Sequence, residues 1–357
     1  MNIMFLKDIL KLVLPPKRIR KIRECIVAMN VTHLHGPKSI RLSGNEAVVT
    51  CIVKNAEFYM EQFIRHYTQM GFRHIFFLDN GSHDQTISIG KRHNNVSIYQ
   101  SRLPVGMYLG FLKKFLAQNS AEGGWCLDAD QDEFFDYPFS NVIGLRYFIE
   151  YLNKKNFTAV VTQLLDMFSE KPASHLGVKL EEKIKSVYQY YDISNIKKVR
   201  YNSSDFVAKY GNLNESSSEK NALYFGGIRK TLYGNDCLLT KHSLFLPGKS
   251  MDIFPHSHFV NNARLADVSC VMLHYKLISN ALDMALQNKN YFPGCEQGYS
   301  DFIDFIKNNP DYKIKRDTAV KLQDVNELVE NGFLFTSEEY LGYVNAIAKD
   351  EALLDNV

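Results

Sequence analysis

Ala47-Val-Val-Thr-Cys-Ile-Val53 is a continuous run of apolar and β-branched residues, and Asn55 closes it. Such a run predicts a strand that is buried on both faces, as strands of parallel sheets are. From Phe58 to Met70, apolar residues recur at helical spacing, and Gly71 supplies a C-terminal stop. A buried strand followed directly by an amphipathic helix is typical of an α/β fold.

The same alternation continues towards residue 125. His74-Ile-Phe-Phe-Leu78 and Val96 to Tyr99 predict two further strands, and a helix from about Tyr108 to Gln118 leads to a fourth strand at Trp125. Because each parallel pair needs a crossover of a dozen or more residues, this spacing predicts a doubly wound, mostly parallel sheet with flanking helices. Ligands of such sheets bind beyond the carboxyl ends of the strands.

The composition is that of a globular protein without a nucleic-acid partner. Of the 357 residues 45% are apolar, and 42 basic residues against 39 acidic ones leave a net charge of only +3. The six cysteines form no C-x-x-C pair, which favours reduced thiols and a cytoplasmic protein. No apolar run reaches the roughly eighteen residues of a transmembrane helix.

The window from Trp125 to Asp136 carries an unusual density of negative charge. It enters as a buried strand, where unpaired charge is costly. A divalent cation, Mg²⁺ or Mn²⁺, would collect such oxygens, since these ions prefer carboxylate and water ligands. The alternative is an exposed acidic turn. The five carboxylates are those of Asp128, Asp130, Asp132, Glu133 and Asp136.

Three polar clusters follow predicted strands and should meet at one edge of the sheet. They are Lys54 to Glu57, Asp79 to Asp84 and Asp130 to Glu133. Neither a G-x-G-x-x-G fingerprint nor a P-loop occurs in the chain, so a nucleotide would be held in another way.

These clusters resemble motifs of a known family. Asp79-Asn-Gly-Ser-His-Asp-Gln-Thr86 resembles the Asp-x-Gly-Ser-x-Asp-x-Thr stretch of GT-A glycosyltransferases related to family 2. Trp125 to Pro138 is similar to the block of the bacterial family 2-like group bordering on family 92, in which a tryptophan precedes Asp-x-Asp-Glu-Phe. That register selects Asp130 and Asp132 as the metal pair and leaves Asp128 as a supporting partner or an extra ligand.

Later segments extend the resemblance to about residues 46–335. These segments are Leu165 to Pro172, Gly226 to Lys230 and Leu273 to Lys276. The resemblance implies a GT-A-type sheet with an α-rich C-terminal extension. It divides the chain into a basic amphipathic N-terminal segment (1–44), a catalytic domain (45–280) with a long polar loop at about 202–221, and a helical C-terminal region (281–357).

The implied activity is transfer of a sugar from a UDP- or GDP-sugar to a saccharide or lipid-linked acceptor. We expect an inverting, Mn²⁺- or Mg²⁺-dependent glycosyltransferase of bacterial surface polysaccharide or lipopolysaccharide synthesis. The resemblance implies His274 as a third metal ligand beside Asp130 and Asp132. It further implies donor contacts by Asn55, Asp79, Arg229 and Lys276, and catalytic carboxylates at Asp166 and Glu133, with Glu170 as an alternative base.

The N-terminal segment suggests a site of attachment. Met1 to Leu14 is apolar with its polar residues on one helical face, and Pro15-Pro16 separates it from the basic run Lys17 to Arg23. An apolar stripe followed by cations suits the anionic inner face of the cytoplasmic membrane. The alternative is an ordinary helix docked on the catalytic domain.

Two other classes of function stay open. A metal-dependent nucleotidyltransferase would share the sheet and the acidic cluster, but it should carry a glycine-rich loop after the first strand, where this chain has Lys54-Asn-Ala-Glu57. A non-catalytic module that binds a sugar or a protein partner would not require the acids.

Overall fold

The computed structural model describes residues 15–170, 184–201, 203–204, 207, 214–277, 286 and 296–354. In its first half, strands and helices alternate as the sequence predicts. The strands of this half are β1 (Thr32–His35), β2 (Ile40–Arg41), β3 (Ala47–Val53), β4 (His74–Asp79), β5 (Val96–Gln100), β6 (Ala121–Glu122), β7 (Trp125–Asp128) and β8 (Glu133–Asp136). The helices are α1 (Pro16–Asn30), α2 (Glu57–Gln69), α3 (Thr86–Gly90), α4 (Val105–Asn119) and α5 (Leu145–Lys154).

The second half has shorter strands and fewer helices. The strands are β9 (Thr162–Asp166), β10 (Tyr190–Tyr191), β11 (Ile196–Arg200), β12 (Glu215–Ser216), β13 (Ala222–Gly226), β14 (Thr240–Lys241), β15 (Leu244–Phe245), β16 (Asp252–His256), β17 (Phe259–Asn261), β18 (Arg264–Leu265), β19 (Cys270–His274) and β20 (Val320–Lys321). The helices are α6 (Ile184–Val187), α7 (Ile228–Tyr233), α8 (Glu296–Asn308), α9 (Glu327–Glu330) and α10 (Glu338–Leu354).

Two mixed sheets organise the molecule, which is an α/β protein. The larger has six strands in the order β1-β5-β4-β3-β7-β15. Its four central strands are parallel, and β1 and β15 close its edges in antiparallel orientation. The smaller has the order β14-β9-β19-β8, in which only β9 and β19 run parallel.

Strand β3 is covered on both faces, as its unbroken apolar run predicts. Val49 and Val53 belong to the core cluster that includes Phe63 of α2, whereas Val48 belongs to the cluster that includes Leu112 and Leu116 of α4. Successive side chains of a strand point to opposite faces. Helices α2 and α4 therefore cover opposite sides of the larger sheet.

The apolar run from Phe157 to Leu165 predicts a fifth strand from its sequence alone. The structure differs from this expectation in the start of the strand and in its sheet, since β9 begins at Thr162 and pairs with β14 and β19. The edge of β7 is already occupied, because Leu244 of β15 pairs with Leu127. The chain therefore turns into the smaller sheet instead of extending the larger one.

The C-terminal region is helical in α8, α9 and α10, and it packs on the sheets. Phe333, Leu334 and Tyr340 are buried in the same cluster as α2, and Tyr340 Oη donates to the carbonyl of Pro138 at 2.7 Å. The predicted boundary at residue 280 lies outside the described residues, as do residues 202, 205–206 and 208–213 of the predicted polar loop. The described end of that loop contains β12, which pairs with β18.

Helix α1 begins at Pro16 and contains the basic run. It packs against the rest of the protein, since Val27 is buried and Arg20 donates to the carboxylate of Asp252. The Nζ of Lys114 in α4 also lies 2.6 Å from Glu24 Oε1. The predicted amphipathic helix over residues 1–14 lies outside the described residues. Of the helices that are described, none has the length and apolar character needed to cross a membrane.

Acid should destabilise the fold partly through His242. Burial lowers the pKa of this imidazole from 6.5 to about 4, and its Nε2 lies 2.6 Å from Tyr201 Oη. Between these pH values the unfolded chain binds a proton that the folded protein does not. The stability that His242 contributes is therefore present above pH 6.5 and is lost towards pH 4, with a slope of about 1.4 kcal/mol per pH unit.

Urea unfolding at several pH values should show that the free energy of unfolding of His242→Gln falls less steeply between pH 6.5 and pH 4 than that of the wild type. His83→Gln is the matched control, because His83 is exposed. Equal slopes for His242→Gln and the wild type would contradict the assignment.

Candidate functional site

The three polar clusters that follow strands β3, β4 and β7 lie at one edge of the larger sheet. The backbone N–H of Asn55 donates to Ser82 Oγ at 2.9 Å, and Asn55 Oδ1 accepts from the N–H of His83 at 2.9 Å. The N–H of Lys54 donates to Gln131 Oε1 at 3.3 Å. The loops after β3, β4 and β7 therefore contact one another, as the parallel topology predicted.

Two buried lysines neutralise much of the acidic cluster. Lys113 of α4 extends to the end of β7, where its Nζ lies 2.7 Å from Asp128 Oδ2 and 3.0 Å from Asp130 Oδ1. Lys241 of β14 reaches the same loop, with its Nζ 2.7 Å from Asp130 Oδ2 and 2.5 Å from Glu133 Oε1. Both lysine side chains are almost fully buried. Asp130 is thus bridged between two ammonium groups.

Burial and these ion pairs act in opposite directions on the carboxylates. Burial raises the pKa of Asp128 and of Glu133, although Lys113 and Lys241 oppose it. Burial also acts to raise the pKa of Asp130, but the two lysines together hold it well below its ordinary value. Asp130 is the more open member, with 43% of its side chain exposed.

The lysines remove the need for a metal cation beside most of the clustered acids. Buried carboxylates require a positive charge nearby, and Lys113 and Lys241 supply it for three of them. The alternative of an exposed acidic turn is wrong, since Asp128 and Glu133 are buried. Any case for a metal therefore depends on Asp132 and its surroundings.

A second cluster surrounds Asp132. His274 ends β19, and its direct neighbours across the smaller sheet are Asp166 at the end of β9 and Glu133 at the start of β8. His274 Nδ1 lies 2.6 Å from Asp166 Oδ1, and His274 Nε2 lies 3.4 Å from Asp132 Oδ2. Arg229 Nε donates to Asp166 Oδ2 at 2.7 Å. Four polar side chains thus form one chain of contacts.

Electrostatics within this second cluster favour charged groups. Burial acts to lower the pKa of His274, but Asp132 and Asp166 raise it to about 9. Burial acts to raise the pKa of Asp132, yet His274 brings it below its ordinary value. Arg229 and then His274 likewise outweigh the effect of burial on Asp166, whose pKa is lowered.

The residues around Asp132 can be compared with the requirements of a metal site. Among the described residues, no group of three or more His, Cys, Asp or Glu side chains is arranged to hold a metal ion. Asp132 and His274 nevertheless face each other with one oxygen and one ring nitrogen. Two protein ligands suit Mg²⁺ or Mn²⁺ when substrate phosphates and water supply the others. Asp132 and His274 therefore fit the predicted ion better than Asp130 does.

The predicted donor contacts at Asp79 and Asn55 lie within the turns they belong to. Asp79 is fully buried; its carboxylate accepts from the N–H groups of Gly81 and Ser82 and from Gln100 Nε2. Asn55 has a positive φ of 49° and bonds the neighbouring loop. These contacts are structural, and a role in donor binding stays a prediction for both residues.

Arg229 and Lys276, the two predicted diphosphate contacts, differ in their pairing and in their exposure. Arg229 is paired with Asp166 and is 10% exposed in its side chain. Lys276 lies 4.7 Å from the centre of the Tyr299 ring and close enough to lower the pKa of Asp132. Lys276 is the more accessible of the two cations for an incoming phosphate.

The predicted catalytic carboxylates are held by other protein groups. Both oxygens of Asp166 are engaged by His274 and Arg229. Glu133 Oε1 contacts Lys241, and its Oε2 accepts from the N–H of Asp130 at 2.8 Å. Glu170 is exposed and pairs with Lys315 at 3.1 Å. Catalysis by these residues stays a prediction.

Sequence reasoning missed both lysines. Lys113 lies in the apolar helix α4 beside Leu112, and Lys241 lies between the apolar pairs Leu238-Leu239 and Leu244-Phe245. A lysine inside an otherwise apolar segment is rarely buried unless it is paired. That rule was the available signal for both residues.

No family model matches the chain, and no curated protein matches it significantly. Among solved structures it is similar to the crystal structure of HddC from Yersinia pseudotuberculosis, with a TM-score of 0.33 and 10% identity over 68% of this chain and 99% of HddC. A similarity at this level carries no argument about function.

Proposed function

We propose that the protein is a metal-dependent glycosyltransferase with a GT-A-type sheet, which transfers a sugar from a UDP- or GDP-sugar to a saccharide or lipid-linked acceptor. The observation that supports this most is the facing pair of Asp132 and His274. It combines the acidic loop that resembles the family's metal motif with the late histidine that the resemblance implies. The proposed setting is bacterial surface polysaccharide or lipopolysaccharide synthesis.

In this proposal different side chains have different roles around the donor diphosphate. A bound divalent ion would stabilise the negative charge that grows on the leaving phosphate. Asp132 and His274 would hold that ion, and Lys276 would add a further positive charge at the rim. Lys113 and Lys241 keep the acidic loop folded, since they neutralise carboxylates that would otherwise repel one another.

Nucleotide binding is the first step that the proposal requires. Thermal unfolding should be measured with a panel of nucleoside diphosphates and nucleotide sugars, with and without Mn²⁺. A ligand at a hundred times its dissociation constant should stabilise the protein by about 2.7 kcal/mol. Stabilisation that depends on both metal and nucleotide is the expected result, and a panel in which no nucleotide shifts the transition would overturn the proposal.

We also propose that α1 contacts the anionic inner face of the cytoplasmic membrane. Lys17, Arg18 and Lys21 are exposed along this helix, as are the apolar side chains of Ile22 (38%) and Met29 (76%). Each cation near such a surface contributes about 1 kcal/mol. Replacement of all three cations by glutamine should weaken binding to anionic vesicles by about two orders of magnitude.

The control for this prediction removes the same number of charges elsewhere. Lys307, Lys313 and Arg316 are exposed in the C-terminal region, and their replacement by glutamine should leave vesicle binding unchanged. Sedimentation with phosphatidylglycerol vesicles measures both variants. Equal losses in the two variants would indicate a general charge effect and count against a specific contact by α1.

A further inference from the structure

A chain of polar groups, buried except for the partly exposed Asp132, extends behind the proposed metal position. It runs from Arg229 through Asp166 and His274 to Asp132, with donor–acceptor distances of 2.7, 2.6 and 3.4 Å. The side chains of Asp166 and His274 are only 3% and 9% exposed. The chain crosses from helix α7 to strands β9 and β19 and ends in the acidic loop.

The backbone brings these groups together with little freedom. Parallel pairing of β9 and β19 sets Asp166 directly beside His274, and the N–H of Tyr275 donates to the carbonyl of Asp132 at 2.8 Å. Gly226 and Gly227 both have positive φ before α7, and a Cβ at Gly226 would lie 2.9 Å from the carbonyl of Asn195. These glycines let α7 start where Arg229 can reach Asp166.

Stability alone is a weak reason for such an arrangement. Removing charges from water is costly, and a buried ion pair is often no more stabilising than apolar residues of the same volume. The chain is, however, well suited to orient an imidazole. An ionised carboxylate only accepts hydrogen bonds, so the nitrogen that faces it must carry a proton.

We infer that Asp166 and Arg229 form a positioning pair that presents His274 to a divalent cation through Nε2. Arg229 keeps Asp166 ionised and fixes its plane. Asp166 holds the proton on His274 Nδ1. A cation bound beside Asp132 would displace the proton from Nε2 and take the lone pair of that nitrogen. A histidine that binds a metal is oriented in this way when its other nitrogen donates to a carboxylate. This inference rests on the proposed function.

Asp166 and Arg229 thereby have roles that differ from those the family resemblance implies. A base must reach the acceptor hydroxyl, and a diphosphate contact must reach the donor. Asp166 has both oxygens engaged and is 3% exposed, while the Nε of Arg229 is directed at Asp166. Both residues therefore act through His274 and not on the substrate.

The test measures metal affinity with saturating UDP or GDP, whose phosphates supply further ligands, and without any turnover. Mn²⁺ binding is followed by electron paramagnetic resonance for the wild type, Asp166→Asn and the double variant Asp166→Asn/Arg229→Met. An asparagine fits the same space but can donate to Nδ1 and so select the wrong tautomer. We expect 10- to 100-fold weaker Mn²⁺ binding in both variants. The double variant carries no unpaired buried charge, so it guards against failure to fold.

A matched control separates positioning from a general effect of buried carboxylates. Asp267 is also buried, and its carboxylate accepts from Tyr151 Oη at 2.8 Å and Ser337 Oγ at 2.6 Å. Asp267→Asn should leave Mn²⁺ affinity within twofold of the wild type, whatever it does to the melting temperature. Equal losses of affinity in Asp166→Asn and Asp267→Asn would overturn the inference.

A second readout does not require metal. The short contact of His274 Nδ1 with Asp166 should give a slowly exchanging, downfield imidazole proton in the wild type that is absent from Asp166→Asn and His274→Gln. Wild-type Mn²⁺ affinity in Asp166→Asn overturns the positioning role and leaves the proposed function standing. No Mn²⁺ binding by the folded wild type in the presence of UDP or GDP, with that imidazole proton observed, overturns the metal of the proposed function and the inference with it.

Discussion

Replacement of Lys241 by methionine should destabilise the protein by about 3–5 kcal/mol, because it leaves a buried carboxylate without its partner. Lys241 Nζ bonds both Asp130 and Glu133, and Glu133 is only 1% exposed, so water cannot readily replace the lost ammonium group. Methionine fills similar space, so the effect should come from charge and not from a cavity. Urea unfolding at pH 7 measures the change in the free energy of unfolding.

Two comparisons make this prediction specific. Lys155 pairs with Glu339 at the surface, with side chains 37% and 66% exposed, and Lys155→Met should cost less than about 1 kcal/mol. The double variant Lys241→Met/Glu133→Gln removes both charges and should recover part of the lost stability. If Lys241→Met is no more harmful than Lys155→Met, the cluster is not held together by buried charge.

Separate replacement of Asp132 and His274 by alanine should abolish Mn²⁺-dependent nucleotide binding. Sugar transfer should fall by about a hundredfold or more in kcat/KM, since a metal contributes several kcal/mol of transition-state stabilisation. Removal of the metal by a chelator should reproduce this loss in the wild type, and added Mn²⁺ should restore activity. Donor titrations and initial rates with nucleotide sugars measure these effects.

Asp130→Asn distinguishes the two members of the predicted metal pair. Asp130 is bridged by two lysines, whereas Asp132 faces His274. We therefore expect Asp130→Asn to weaken Mn²⁺ binding less than Asp132→Asn does. If Asp130→Asn weakens Mn²⁺ binding more than Asp132→Asn does, the ion lies beside Lys113 and Lys241, contrary to the proposed site.

The local patterns of the first half predicted most of its architecture. The run Ala47–Val53, the helix that follows it and the strand at His74 occur within about a residue of the expected bounds. Each segment is long and has one dominant hydrophobic period, so all its residues indicate the same secondary structure. The convergence of the polar clusters followed from parallel topology, and Lys54 does contact Gln131.

The pairing of distant side chains could not be predicted in the same way. Lys241 lies on a two-residue strand, and nothing in its local pattern indicates that β14 pairs with β9 beside the acidic loop. The contact of Asp166 with His274 likewise depends on the register of β9 against β19. A one-residue slip would turn either side chain to the opposite face. These contacts are long-range, whereas propensity and periodicity are local.

The hydrogen bonds between the loops that follow β3 and β4 affect how the site could be changed by loop exchange. Asp84 accepts from the N–H of Glu57, and Glu57 in turn accepts from the N–H of Gln85. In the same way the N–H of Asn55 donates to Ser82 Oγ, and Asn55 Oδ1 accepts from the N–H of His83. Each loop thus completes the backbone bonding of the other. A chimaera that received one loop from another protein would lose the partners of both, so the pair should be transplanted together as a single cassette.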